Sequence, residues 1–369
     1  MGLLSSSNSK SIVGLDVGTD SIAATEVRAN GSVEVVGQGI APLEPGVFRE
    51  GEVADVEGLS AALKELFSAN KLSQNVRLGI ANQRLAVRVL RLPAIADEEQ
   101  LETAIRFQAQ DSIPMPLEQA VLDWQVIGTS QGASGEAQID VVAAAARRDM
   151  IDQMLAAMRG AGLRPVGIDV AAFGLVRALA HDPQLTAAVP SYEERLAGEG
   201  EGEPQAPAWL LCHLGDVTNL AVAQAGNCLF TRMASFGLEG MAQRLAERRQ
   251  LTLEHARQWL AHVGLAAPVE EIEGDPEHVA GARAVLEEGV ARLADEIRVS
   301  VEYYNAQEGA VALQGAVATG PGTTLPGLVE RLQESLGYPF TTSRPAALGH
   351  LDDVTAARLT LSFGLALER

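Results

Sequence analysis

Two short turns in this chain carry the residue types that grip phosphate. Asp16-Val17-Gly18-Thr19-Asp20-Ser21 closes an apolar run at 11–17, and Leu214-Gly215-Asp216-Val217-Thr218-Asn219 closes a second at Ala208–Leu214. Glycine lets successive backbone N–H groups converge into a concave donor site, and Thr or Ser hydroxyls add donors for phosphate oxygens. Gly18, Thr19, Asp20 and Ser21 are therefore candidate ligand residues in the first turn, and Gly215, Asp216, Thr218 and Asn219 in the second. Asp16, at the strand end, has the chemistry to hold a hydrated Mg²⁺ carried by a polyphosphate. A third element, 318–328, holds Gly320-Pro321-Gly322 between a strand-like run at 310–313 and a helical pattern at 325–336. Its glycines would let a flat ring or a phosphate approach the backbone, and the following helix N-terminus would favour an anion.

One such turn also makes an ordinary polar hairpin, so the weight rests on repetition. Gly18 and Gly215 are 197 residues apart, and the next turn glycines, Gly31 and Gly226, are 195 apart. Strand, glycine-polar turn, strand, turn and strand thus recur in near-register, which points to a duplicated domain with two turns facing each other across a cleft. Helical patterns fall at Val56–Asn70, 97–110, Arg148–Gly160, Leu238–Arg249, Leu253–Val263 and 279–304. Strand-like runs at 77–80, 86–92, 121–128, 139–145 and 164–169 alternate with them, so the class is α/β. The acidic, Gly- and Pro-rich stretch 191–207 reads as a linker between the halves.

Composition narrows the function classes. The chain has 369 residues, 47% hydrophobic, and 28 basic against 48 acidic residues give a net charge of −20. Nucleic acid and anionic membrane surfaces both call for clustered Lys and Arg, so neither is the expected main partner. The two cysteines, Cys212 and Cys228, form no disulfide framework, and no apolar run has membrane-spanning length. The start, Met1-Gly2 with Ser6, fits a loose myristoylation pattern but reads as a frayed terminus. The His residues are scattered, and no nucleophile–base set is identifiable from spacing.

The three turn elements, in this order on a duplicated frame, resemble the actin-like nucleotide-binding superfamily. A narrower likeness lies in 97–182, with Ile113-Pro114-Met115-Pro116-Leu117-Glu118 and the Asp-x-x-Val pattern at 123–126. Together with the loop 320–328 and the ending Phe363-Gly364-Leu365-Ala366-Leu367, it makes the chain similar to the PilM family of type IV pilus assembly proteins, relatives of the cell-division protein FtsA. The resemblance implies an actin-like ATPase fold of two ribonuclease-H-like domains, with an FtsA-type (SHS2) insert in the first. The implied boundaries are 1–84 with 165–190 for the first core, 85–164 for the insert and 208–369 for the second domain, whose helical part is about 235–305.

The implied cofactor is ATP or ADP with Mg²⁺, which Asp16 would face. The implied partner is the cytoplasmic N-terminal peptide of a PilN-like inner-membrane protein, held between first core and insert, with Ile113, Pro114 and Pro116 assigned to that groove. Other alignment-complex components and the motor ATPase are implied further partners, and self-association is open. The expected location is cytoplasmic, at the inner membrane face through partners; the ending Glu368-Arg369 shows no amphipathic anchor.

Two departures bear on the cleft. Many relatives carry Lys where this chain has Ala23, and an acid where it has His213 beside Cys212; Asp216 is the available substitute. Losing one phosphate-directed charge costs on the order of 1.5–3 kcal/mol, so weak nucleotide binding with slow or absent hydrolysis is expected. A sugar- or acid-kinase-like phosphotransferase and an FtsA-like filament protein are the alternatives.

Overall fold

The computed structural model describes residues 11–29, 32–131, 135–180, 207–234, 236–307 and 310–368. The expected linker lies outside them apart from Pro207, as do the turn at Asn30-Gly31 and the first ten residues. In the first half, β1 (Ile12–Val17), β2 (Ser21–Ala29) and β3 (Val33–Pro42) form an antiparallel meander, in which the Gly18-Thr19-Asp20 turn folds β2 back onto β1 and β3 pairs with β2. β6 (Asn75–Ile80) and β10 (Arg164–Val170) then add in parallel on the other side of β1. The sheet order is β3-β2-β1-β6-β10, and β4 (Phe48–Arg49) and β5 (Glu52–Val53) pair separately as a short hairpin.

The second half repeats it. β11 (Ala208–Leu214), β12 (Thr218–Gln224) and β13 (Asn227–Ala234) form the meander, and β14 (Leu313–Thr319) and β15 (Phe340–Thr342) add in parallel. The order β13-β12-β11-β14-β15 matches the first sheet strand for strand, so the duplication read from glycine spacing is a structural one. The strand expected at 310–313 is displaced to 313–319, because the ladder to β11 runs through His213↔Thr319. Residues 318 and 319, expected in the loop, are therefore strand.

Helix α1 (Val56–Asn70) starts where the Asp55 side chain accepts from the Glu57 and Gly58 amides, and it buries Leu59, Leu63, Leu66 and Phe67. Between the core strands sits a three-stranded antiparallel sheet, β7 (Ala86–Pro93), β9 (Ala137–Arg147) and β8 (Ala120–Gln131) in that order. Helix α2 (Glu98–Ser112) covers one of its faces through Leu101, Ile105 and Ala109. Two boundaries need correcting. Helix α3 (Arg148–Gly160), expected in the insert, buries Met150, Met154 and Met158 in the core built on α1, and Ser60 Oγ donates to its Ala157 carbonyl at 3.0 Å.

The larger correction concerns the end of the chain. Helices α4 (Ala171–Leu179), α5 (Leu238–Arg249), α6 (Leu253–Val263), α7 (Pro276–Asn305) and α8 (Leu328–Leu336) precede a last helix, α9 (Asp353–Ala366). The sequence reading places α9 in the second domain, but it packs against β1, β2 and α4 of the first. Backbones touch there: a Cβ on Gly14 would lie 1.9 Å from the Ser362 carbonyl oxygen, and Thr25 Oγ1 and Ser362 Oγ are 2.7 Å apart.

A candidate nucleotide cleft and a candidate peptide groove

The two glycine turns end β1 and β11, so the repeated sheets bring them face to face. Between them is a cavity of about 80 Å³, lined among others by Asp16, Gly18, Thr19, Ser21, Gly215, Asp216, Asn219 and Pro321. The first turn presents its amides to the cavity, and the second half fills them. Asp216 Oδ2 accepts from the Thr19 amide at 2.9 Å and from the Asp20 amide at 3.2 Å. A Cβ on Gly18 would meet the same oxygen at 2.8 Å. An internal carboxylate thus occupies the amide donors of the first turn, and the cavity is well below the roughly 300–1,000 Å³ of small-molecule pockets.

The cavity is poor in charge compensation. Burial raises Asp16 to about 7; burial, then the charge of Asp20, raises Asp216 to about 7. Burial lowers His213 to about 4, and neither of its ring nitrogens finds a partner among the described residues. Arg257 of α6 bridges the cleft, 3.6 Å from Asp20 and 2.8 Å from the buried Glu239. Arg358 of α9 reaches the cavity and donates to Ser21 Oγ at 3.2 Å. Spacing could not have found Arg257 or Arg358, since both come from helices remote in sequence.

Other candidates fall differently. Thr218 is buried in β12, and its hydroxyl has no partner among the described residues. Gly320 (φ +86°) and Gly322 pack on His213 and Leu214, where a Cβ would come within 2.9 and 2.6 Å, so these glycines admit β11 and not a ligand. Helix α8 gives no N-terminus to the cleft either, because its preceding Gly327 lies against Leu265 and Ala266. Among the described residues no three His, Cys, Asp or Glu side chains are grouped to hold a metal.

A second, larger cavity of about 530 Å³ lies between the first core, the insert and the β12–β13 hairpin. Residues 121–125 all line it. Five consecutive positions on one strand mean that its edge, not one face, borders the space, and β8 is indeed the edge of its sheet. The opposite wall carries Phe173, Val176 and the pair Arg177–Asp169, 2.6 Å apart and largely buried. Ile113, Pro114 and Pro116 do not line it. Ile113 is 4% exposed in the core of the insert, since the turn after α2 folds inward to close that core, and both prolines face solvent elsewhere. The Asp-x-x-Val signature is better placed: Asp123, Trp124 and Gln125 are on the wall.

Residues 14–368 match the family described as type IV pilus assembly protein PilM. The chain belongs to that family. Among solved structures, a PilM-PilN type IV pilus biogenesis complex matches with a TM-score of 0.75 at 23% identity, over 97% of this chain and 98% of that one. The ethanolamine utilization protein EutJ from Carboxydothermus hydrogenoformans matches at 0.52 and 14% identity, over 97% and 89%. MreB 5 of Spiroplasma citri bound to AMPPNP matches at 0.51 and 13% identity, over 97% and 95%. The fold is thus the actin-like one expected, and membership of a pilus-assembly family favours neither the phosphotransferase nor the filament alternative. No helix of the described residues is long and apolar enough to cross a membrane.

Proposed function

We propose that this PilM-family chain is a cytoplasmic scaffold of the type IV pilus inner-membrane assembly complex. Its groove binds the N-terminal tail of a PilN-like protein, and its cleft binds ATP or ADP with Mg²⁺ weakly. The observation that carries the reading is that β8, the outer strand of its sheet, runs along a groove of about 530 Å³. An extended peptide can add to such an edge by main-chain hydrogen bonds while its side chains enter the apolar pockets opposite. The PilM-PilN complex shares this fold over nearly its whole length. The partner's tail would hold the chain at the inner membrane face, and contacts with the motor ATPase or with a second copy would follow from that assembly.

The cleft supports weak binding because Asp216 must leave the first turn before phosphate can enter. Slow or absent turnover fits a site whose amides are already filled. The test is a titration with a synthetic peptide copying the N-terminal tail of the cognate PilN-like protein, followed by tryptophan fluorescence. Saturable binding is expected, and Trp124→Ala should weaken it about tenfold or more, as for an aromatic anchor. Equal binding by both proteins would move the tail out of this groove.

A further inference from the structure

We propose that Arg358 is the cation that receives the nucleotide's phosphates, delivered to the first turn by the last helix of the chain. The inference rests on reading the cleft as a nucleotide site. Charge around the cavity is lopsided: Asp16, Glu50 and Asp216 line it, and Arg358 is the basic side chain among its lining residues. A polyphosphate entering so acidic a space requires a fixed positive charge beside the amide donors.

Arg358 is available for that task in a way that Arg257 is not. Arg257 is engaged by Asp20, Glu239 and Glu254 at 3.6, 2.8 and 3.6 Å. Among the described residues no carboxylate forms an ion pair with Arg358 within 4.0 Å, and its guanidinium donates to the neutral Ser21 hydroxyl at 3.2 Å. Ser21 Oγ in turn donates to Asp20 Oδ1 at 2.6 Å, so the guanidinium is tethered to the turn without being neutralised by it. A partly buried guanidinium in the middle of a largely buried helix, with no carboxylate partner among the described residues, has an electrostatic cost. An anionic ligand beside Thr19 and Ser21 would offset it.

The backbone explains why α9 can supply the charge. Gly14 lets the helix approach β1 until backbones touch, and the Thr25–Ser362 contact fixes its register on β2. Ala23 lies two residues from Ser21 on the same face of β2, also lines the cavity, and is packed with Leu359 and Phe363. Its small side chain brings no charge to the turn and leaves room for the one from α9. Position 23 is therefore where a transplanted cation would restore the site.

The experiment is calorimetric titration of the full chain with Mg-ATP and, separately, with adenosine, for wild type, Arg358→Gln, Arg358→Ala and Ala23→Lys/Arg358→Gln. Arg358→Gln retains a donor for Ser21 and so guards against simple misfolding, which circular dichroism checks in each variant. Expected is a loss of about ten- to hundredfold in Mg-ATP affinity for both Arg358 variants. Adenosine affinity should be unchanged, and the double variant should recover part of the loss. Wild-type-like Mg-ATP affinity in Arg358→Gln would overturn this inference and leave the nucleotide reading standing. Equal losses for ATP and adenosine would also overturn it, since they mark a structural role. A folded wild type that binds no Mg-ATP would remove the nucleotide reading, and this inference with it.

Discussion

Replacing Asp16 by Asn isolates the cost of keeping one carboxylate in the closed cleft. Burial raises its pKa from 3.8 to about 7. Roughly 3 units correspond to about 4 kcal/mol of destabilisation once the group is ionised, an upper limit because the side chain keeps a face on the cavity. The folded protein holds this proton more tightly than the unfolded chain does. Stability from this group is therefore greatest below the unfolded value, falls as pH rises, and levels off above the folded value. About 1.4 kcal/mol of the fall lies between about pH 6 and pH 8. Ordinary carboxylates are ionised throughout that window and contribute no slope. Asp216, also raised to about 7, adds a fall of the same sign, and His213, lowered to about 4, adds a smaller rise. Both are common to wild type and variant and drop out of the difference. Urea unfolding of the ligand-free proteins, followed by tryptophan fluorescence, should show Asp16→Asn stabilised at about pH 8 by more than at about pH 6, with a gap near 1 kcal/mol. Parallel pH curves for the two proteins would refute the buried, ionisable Asp16.

Two further outcomes follow from geometry. Asp216→Ala removes the carboxylate from the Thr19 and Asp20 amides. Hydrogen exchange of those amides should accelerate in the ligand-free protein, and Mg-ADP should bind several-fold more tightly by calorimetry; weaker binding would make Asp216 a ligand residue and not an internal competitor. Gly14→Ala would place a Cβ 1.9 Å from the Ser362 carbonyl oxygen, a backbone collision that no side-chain rotation relieves. It should cost about 3 kcal/mol or more by chemical denaturation, and an unchanged midpoint would mean α9 does not pack on β1 as described.

What was legible in the sequence was local. The β1–β2 and β11–β12 turns are legible because an apolar run that ends in glycine and polar residues, and is followed at once by a second apolar run, favours a reversal, and their matched spacing carries the duplication. α1 was legible to the residue, since its cap Asp55 and its Leu59, Leu63 and Leu66 stripe mark both start and inner face. What was hidden depends on distant partners. Helix α9 is buried on nearly every side, from Ala356 to Ala366, so it lacks the one-sided periodicity that reveals a helix. Its crossing to the first sheet, and with it Arg358, could not be read. Ile113 is assigned to the groove by the family resemblance of the segment it shares with Pro114 and Pro116. Only packing shows that it plugs the insert's core while consecutive residues of β8 hold the groove.

The cleft and the groove share structural walls, which ties the two proposed activities together. Gly79 and Ala81 line the cleft, while Ile80 between them lines the groove, so the end of β6 borders both. The groove's far side is Gly226, Asn227 and Cys228, at the tip of the β12–β13 hairpin, and β12 begins just after the turn that carries Asp216. Admitting a nucleotide means withdrawing Asp216 from the Thr19 and Asp20 amides, and a shift of the second half that carries this residue is one way to do it. Any such opening displaces the hairpin that closes the peptide groove. By that route a nucleotide would act on the tail's affinity, and the tail on the nucleotide's, by the same factor. Asp216→Ala tests this coupling without any nucleotide. If the Asp216 contact sets the groove's width, the variant must change affinity for the tail as well as for Mg-ADP; an unaltered tail affinity would make cleft and groove energetically independent.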